Sequence, residues 1–236
     1  MKLRNLNIGL FVKLPSTQAI EIARSAGFDF CVIDREHSQL SEGDAIALAS
    51  HAAAVGLPAL VRIPAVDRGA VNRLLEAGAV GIQLSTVRRA EQVTELRAAT
   101  RYSPDGERSI SLAHRGADYG ADSMADYLAS ERRAPPLVVA QIETASTDDP
   151  LEEILAAGPD VAFIGTADLR ADLGLDQEAY ERRVEEIAAA VAAADVVLGA
   201  FGFDDPRVGY RLVASDLALL RSAAVATVEG HRRHDT

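Results

Sequence analysis

Two acids are set where they could share a cation. Glu143 closes Gln141-Ile142-Glu143, and Asp168 lies in Gly165-Thr166-Ala167-Asp168-Leu169. Each motif ends an apolar, β-prone run, Pro136 to Ile142 in one case and Val161 to Ile164 in the other. Acids at the ends of successive buried strands, about one βα unit apart, converge at one mouth of a parallel barrel. There two hard oxygen donors suit a divalent cation and leave positions open for substrate. Either acid alone could instead cap the helix that follows it. Together they favour a metal.

The elements that must position them recur along the whole chain. Asn7–Val12, Phe28–Ile33, Ala59–Ile63, Val80–Leu84, Leu137–Ile142, Val161–Ile164, Val196–Phe201 and Tyr210–Ala214 read as short buried strands. Between them, Thr17–Ala26, Glu42–Val55, Arg68–Ala77, Arg89–Thr100, Leu151–Ala157 and Gln177–Ala194 have helical spacing, and Asp216 to Glu229 forms a final helix. Such alternation predicts a parallel sheet with crossover helices, closed as a (β/α)8 TIM barrel spanning 1–236 as one domain. Gly27, Gly56, Gly78 and Gly158 follow helical runs, where a left-handed cap is needed. Gly202 to Gly209 leaves room for only about two turns, so the seventh helix should be shortened. Arg101 to Pro136 is too long for an ordinary connection and is expected to cover the mouth. A tail from 230 to 236 is expected to be disordered.

Catalytic groups of such barrels gather at the carboxyl ends of the strands. Those positions hold Asp34-Arg35-Glu36-His37, Arg62, Ser85, Glu143, Asp168 and Ser215-Asp216. Arg62 could also be a structural partner of Asp34 or Glu36. His37 is the only histidine at a strand end.

Composition narrows the remaining classes. The net charge of −11 disfavours nucleic acid and anionic membranes as partners. Cys31 is the single cysteine, so no intrachain disulfide forms, and its apolar setting suits a buried thiol. No apolar stretch reaches transmembrane length, and Met1-Lys2-Leu3-Arg4 runs into a strand rather than a signal peptide, which points to a cytoplasmic protein.

Taken in order, these motifs resemble the HpcH/HpaI aldolases, metal-dependent class II pyruvate aldolases on a (β/α)8 barrel. The resemblance rests on Gly27-Phe28-Asp29-Phe30, Ile33-Asp34-Arg35-Glu36-His37, Val61-Arg62-Ile63-Pro64, Arg101-Tyr102-Ser103-Pro104-Asp105-Gly106-Glu107-Arg108, Gln141-Ile142-Glu143-Thr144 and the Asp168 motif. It covers nearly the whole chain. It implies Glu143 and Asp168 as ligands of Mg²⁺, Mn²⁺ or Co²⁺, with a 2-oxoacid supplying further oxygens. It implies that backbone N–H groups around Ala167 and Asp168 hold the substrate carboxylate, with Gln141 and Thr166 nearby. Arg62 would stabilise the enolate oxygen, and His37 would act as base with Asp34 orienting its ring. Glu76 would serve a neighbouring subunit, and the last helix would pack on a neighbour in a homo-oligomer, a hexamer built as a trimer of dimers. The family's amino-terminal helix looks reduced.

The reaction so implied is reversible aldol cleavage of a 4-hydroxy-2-oxoacid to pyruvate and an aldehyde. Lys2 and Lys13, the only lysines, lie near the amino terminus, which disfavours a Schiff-base mechanism. Arg35, Ser85, Ser109, Thr166 and Arg170 depart from the family pattern and are expected near the mouth, with Arg35 a candidate either for binding an acidic acceptor or for pairing with a neighbouring subunit. They keep open a citrate-synthase-like or decarboxylating enzyme using oxaloacetate. A non-catalytic barrel is a further alternative, opposed by the retention of every site residue.

Overall fold

The computed structural model describes residues 7–234; the expected reduced amino-terminal helix falls outside them. The strands are β1 (Ile8–Val12), β2 (Phe30–Asp34), β3 (Ala59–Ile63), β4 (Gly81–Leu84), β5 (Leu137–Ile142), β6 (Val161–Ile164), β7 (Val197–Phe201) and β8 (Val208–Ser215). They form one closed barrel in sequence order, every neighbouring pair parallel, with β8 returning to β1. Around them lie α1 (Thr17–Ala26), α2 (Glu42–Val55), α3 (Arg68–Glu76), α4 (Ala90–Thr100), α5 (Met124–Arg133), α6 (Leu151–Ala156), α7 (Thr166–Asp172), α8 (Gln177–Ala193) and α9 (Asp216–His234). The expected (β/α)8 fold is observed.

Strand parity organises the interior. Successive side chains point to opposite faces, so residues two apart share a face. Phe30 and Val32 on β2, Leu60 on β3, Leu137 and Val139 on β5, and Val161 and Phe163 on β6 pack together with Tyr210 and Leu212 as one buried cluster. Continuing the same phase toward the carboxyl ends gives Asp34, Arg62, Gln141, Glu143 and Gly165. The site is therefore the next inward layer above an apolar plug. The opposite phase, with Cys31, Ile33, Val61 and Val138 among others, packs against the helices. Cys31 is fully buried; burial, then the charge of Asp216, pushes its thiol up to about 12, as suits an inert core group.

Several expectations change. The chain between β7 and β8 contains no helix, so the seventh helix is lost rather than shortened. Residues from Gly230 are helical as far as His234, where a disordered tail was expected. The 101–136 segment carries its own helix, α5, and joins α4 to β5. Helices in this fold run antiparallel to the strands, so the chain leaves α4 at the end of the barrel away from the mouth. It then packs outside α3 and α4, with Arg108 Nε donating to Asn72 Oδ1 at 2.9 Å and the Glu107 N–H donating to the Ala98 carbonyl at 2.8 Å. The segment does not cover this chain's own site.

Gly81 lies opposite Leu137 in the β4–β5 register. A Cβ there would stand 2.7 Å from both the Leu137 Cβ and its carbonyl oxygen. Neither can retreat without shifting a paired strand, so Gly81→Ala should destabilise the fold by about 1–3 kcal/mol. A lowered urea midpoint at unchanged slope is the expected result.

Candidate active site

A pocket of about 170 Å³ opens at the carboxyl ends of the strands. His37, Arg62, Gln141, Thr166, Ala167 and Asp168 line it, together with Lys13, Gly165 and the aromatic walls Phe11 and Phe201. Most of the residues expected at one site are thus brought together.

One side is a buried ion-pair cluster. Asp34 is fully buried and accepts from Arg62 Nε at 2.9 Å and Nη2 at 2.6 Å, a two-point pairing of carboxylate with guanidinium. The same carboxylate accepts from the backbone N–H groups of Glu36 and His37, at 3.0 and 3.1 Å, and lies 3.1 Å from Lys13 Nζ. Burial opposes its ionisation, but the Arg62 hydrogen bonds and charge, the His37 N–H and Lys13 outweigh it and hold the carboxyl at about 2. Arg62 Nη1 lies 3.2 Å from Glu36, and the guanidinium sits over the Phe11 ring at 4.5 Å. Contrary to the expectation from sequence, Asp34 does not orient the His37 ring, because its acceptors are taken by Arg62 and backbone. The ring's acidic neighbours are Glu36, 3.7 Å from Nε2, and Asp168 at 4.0 Å.

The other side is built on Glu143, which is 3% exposed. Its Oε1 accepts from both the N–H and the Oγ of Thr86, each at 2.8 Å. Its Oε2 accepts from Gln141 Nε2. Gln141 Oε1 in turn accepts from Gln83 Nε2 at 2.6 Å, and Gln83 Oε1 from the Tyr210 hydroxyl at 3.3 Å. This hydrogen-bonded chain crosses the barrel interior from β8 to the acid. Gly165 makes room for it: a Cβ there would stand 2.1 Å from Glu143 Oε2. Burial, set against the hydrogen bonds from Gln141 and Thr86, raises the Glu143 carboxyl above its ordinary range, and the charge of Asp168 adds to the rise.

Asp168 sits in the first turn of α7, a helix where a loop was expected. Among the described residues, no group of three or more His, Cys, Asp or Glu is arranged for a metal. Glu143 and Asp168 offer a two-carboxylate, all-oxygen donor set, and the partners of Glu143 are all neutral. A hard divalent cation with open positions fits such a set and would relieve the repulsion between the acids.

Other expected residues lie elsewhere. Arg35 does not line the pocket; its charge acts on Glu42 instead. Arg170 stacks over the Tyr180 ring at 3.8 Å and donates to Gln177, and Ser109 lies by Asn72 on α3. None of these three departures lines the pocket. Glu76 accepts from Asn72 at 3.1 Å, also outside the pocket. Sequence reasoning missed Thr86, Gln83 and Tyr210. Gln83 was findable as the one polar residue of an otherwise apolar strand, whereas nothing in residue type marks Thr86.

Comparison with known proteins bears on the family and the fold. The model of the HpcH/HpaI aldolase/citrate lyase family matches residues 7–206. A hydroxypyruvate/pyruvate aldolase of Roseovarius nubinhibens is 30% identical, the match covering 98% of this chain and 94% of that protein. A 4-hydroxy-2-oxovalerate aldolase of Novosphingobium aromaticivorans is 35% identical over 72% of this chain and 64% of its own. The crystal structure of an HpcH/HpaI aldolase/citrate lyase family protein from Burkholderia cenocepacia superposes with a TM-score of 0.87 at 29% identity, covering 97% of this chain and 95% of that one.

The Asp34 cluster has a pH signature. A carboxyl held at about 2, below the usual 3.8, contributes stability that is present above 3.8 and lost as pH falls through about 2. The amount is on the order of 2 kcal/mol. Urea midpoints measured against pH should fall between those limits in the native protein. In Asp34→Asn, that part of the decline should be missing and the protein less stable at neutral pH.

Proposed function

The chain belongs to the HpcH/HpaI aldolase/citrate lyase family, and we propose that it is a divalent-metal-dependent 2-oxoacid aldolase working through a pyruvate enolate. It is a carbon–carbon lyase of the aldolase type. The proposed reaction is reversible cleavage of a 4-hydroxy-2-oxoacid to pyruvate and an aldehyde. The observation that carries this reading is Glu143: a buried acid with only neutral hydrogen-bond partners, beside a second carboxylate, at the mouth of the barrel.

Mg²⁺, Mn²⁺ or Co²⁺ held by Glu143 and Asp168 would supply Lewis-acid polarisation of the 2-oxoacid carbonyl, worth several kcal/mol. The N–H groups of Ala167 and Asp168 open α7 and so lack helical partners; they suit the substrate carboxylate, with Thr166 and Gln141 beside it. Arg62 donates to the carbonyl oxygen as enolate charge grows. Asp34 and Glu36 aim its guanidinium beforehand, so little reorganisation accompanies the reaction. His37, at the rim between Glu36 and Asp168, takes the methyl proton. Lys13 Nζ is committed to Asp34 and to the His37 carbonyl, a poor arrangement for a Schiff base. With neither Arg35 nor Arg170 lining the pocket, an acidic acceptor has no support from those residues.

The proposed enzyme is a cytoplasmic homo-oligomer acting on small molecules, without nucleic-acid or membrane partners. No helix among the described residues is long and apolar enough to cross a membrane. Along α9, Leu217, Leu219, Leu220, Val225 and Val228 are exposed, and a largely apolar groove of about 410 Å³ runs between α1 and α9. A second copy covering this face fits both observations. Glu76 is outside its own pocket, and in the proposed oligomer it serves a neighbour's.

Pyruvate methyl protons should exchange with D₂O in the presence of Mg²⁺, Mn²⁺ or Co²⁺, followed by NMR. Chelator and Glu143→Ala should each abolish the exchange; persistence in both would defeat the reading. Sedimentation should show a hexamer, and Leu220→Arg, on the exposed face of α9, should yield smaller species.

A further inference from the structure

We infer that Thr86 is a positioning residue for Glu143, fixing the carboxylate in the orientation that a divalent cation requires; this rests on the metal-dependent reading proposed above. Thr86 has φ 50°, a left-handed conformation that β-branched residues rarely adopt. Its side chain is exposed, so core packing explains neither the residue nor its backbone. The conformation does turn the N–H and the hydroxyl toward the same acceptor, Glu143 Oε1, at 2.8 Å each.

The neighbourhood holds the turn in place. The Ser85 N–H donates to the Ile63 carbonyl at 3.1 Å, the Val87 N–H to the Gln141 carbonyl at 2.8 Å, and Gln92 Nε2 to the Thr86 carbonyl at 3.3 Å. Strain that persists at a site because its surroundings over-determine it is characteristic of functional positions. With Thr86 on Oε1 and Gln141 on Oε2, both oxygens of the acid are held, and neither its torsion nor its plane is free. Removing the hydroxyl leaves Oε1 on a single backbone donor. The acid can then pivot, and the cation must pay for ordering it.

The test is titration calorimetry with MnCl₂ on the native protein and on Thr86→Val, Thr86→Ser and Thr86→Gly, each first checked for native circular dichroism. Partners of this kind typically contribute roughly 10–100-fold to metal affinity. Thr86→Val, which keeps the shape and loses the donor, should weaken Mn²⁺ by that order, and Thr86→Ser should restore most of it. Thr86→Gly relieves the backbone but lacks the hydroxyl, so it should bind as weakly as the valine variant. Native affinity in Thr86→Val, or in Thr86→Gly, overturns the proposal while the metal reading stands. If the native protein itself takes up no Mn²⁺, the metal reading fails and carries this proposal with it. A purely stabilising role for Thr86 would move the melting temperature and leave the Mn²⁺ affinity unchanged.

Discussion

Everything at the mouth of this barrel answers to one constraint: a carboxylate, Glu143, is held almost out of water with no cationic side chain bonded to it. Leaving such a group unpartnered would cost several kcal/mol. The fold meets that cost with neutral donors alone, two from Thr86 and one from Gln141. Gly165 is without a side chain where any Cβ would displace the acid. Neutral partners preserve the negative charge, whereas a lysine or arginine would cancel it and leave nothing for a cation to complete.

The opposite wall is organised by the contrary principle. Asp34 is compensated twice over, by Arg62 and by Lys13, and the charges there serve geometry. A guanidinium gripped at two points on one edge is rigid, and its remaining donors face a small pocket. The mouth therefore sets a fixed positive group across from an acid pair that still attracts positive charge. An oxygen that becomes anionic between them is stabilised from both sides without either having to move.

Much of this was legible in the residues, for identifiable reasons. The bounds of α1 and α2 could be read because glycine follows each helix and takes the left-handed cap, φ 93° at Gly27 and 76° at Gly56. Arg62, Gln141 and Glu143 stood out because strand parity makes a polar residue inside an apolar run conspicuous. α7 escaped because Thr166–Asp172 is too short to show periodicity. The side of the barrel on which 101–136 emerges was implicit in its place between α4 and β5, but length alone suggested a lid. The placement of Arg170 depends on Gln177 and Tyr180, which are partners that only the folded chain brings near.

The chain of amides behind Glu143 also has a direction in time. It begins at the Tyr210 hydroxyl on β8, passes through Gln83 and Gln141, and ends on an acid supplied long before β8 is made. A ribosome releases β5 and β6, with both carboxylates, while the residue at the head of that chain is still unwritten. Until the last strand arrives, Gln83 lacks its donor and the end of β1 lacks Asp216, which accepts from the N–H groups of Lys13 and Leu14 at 2.9 Å each. Barrel closure and completion of this hydrogen-bonded chain are thus one event, and a half-synthesised chain has Thr86 and Gln141 on the acid without the hydroxyl that backs them.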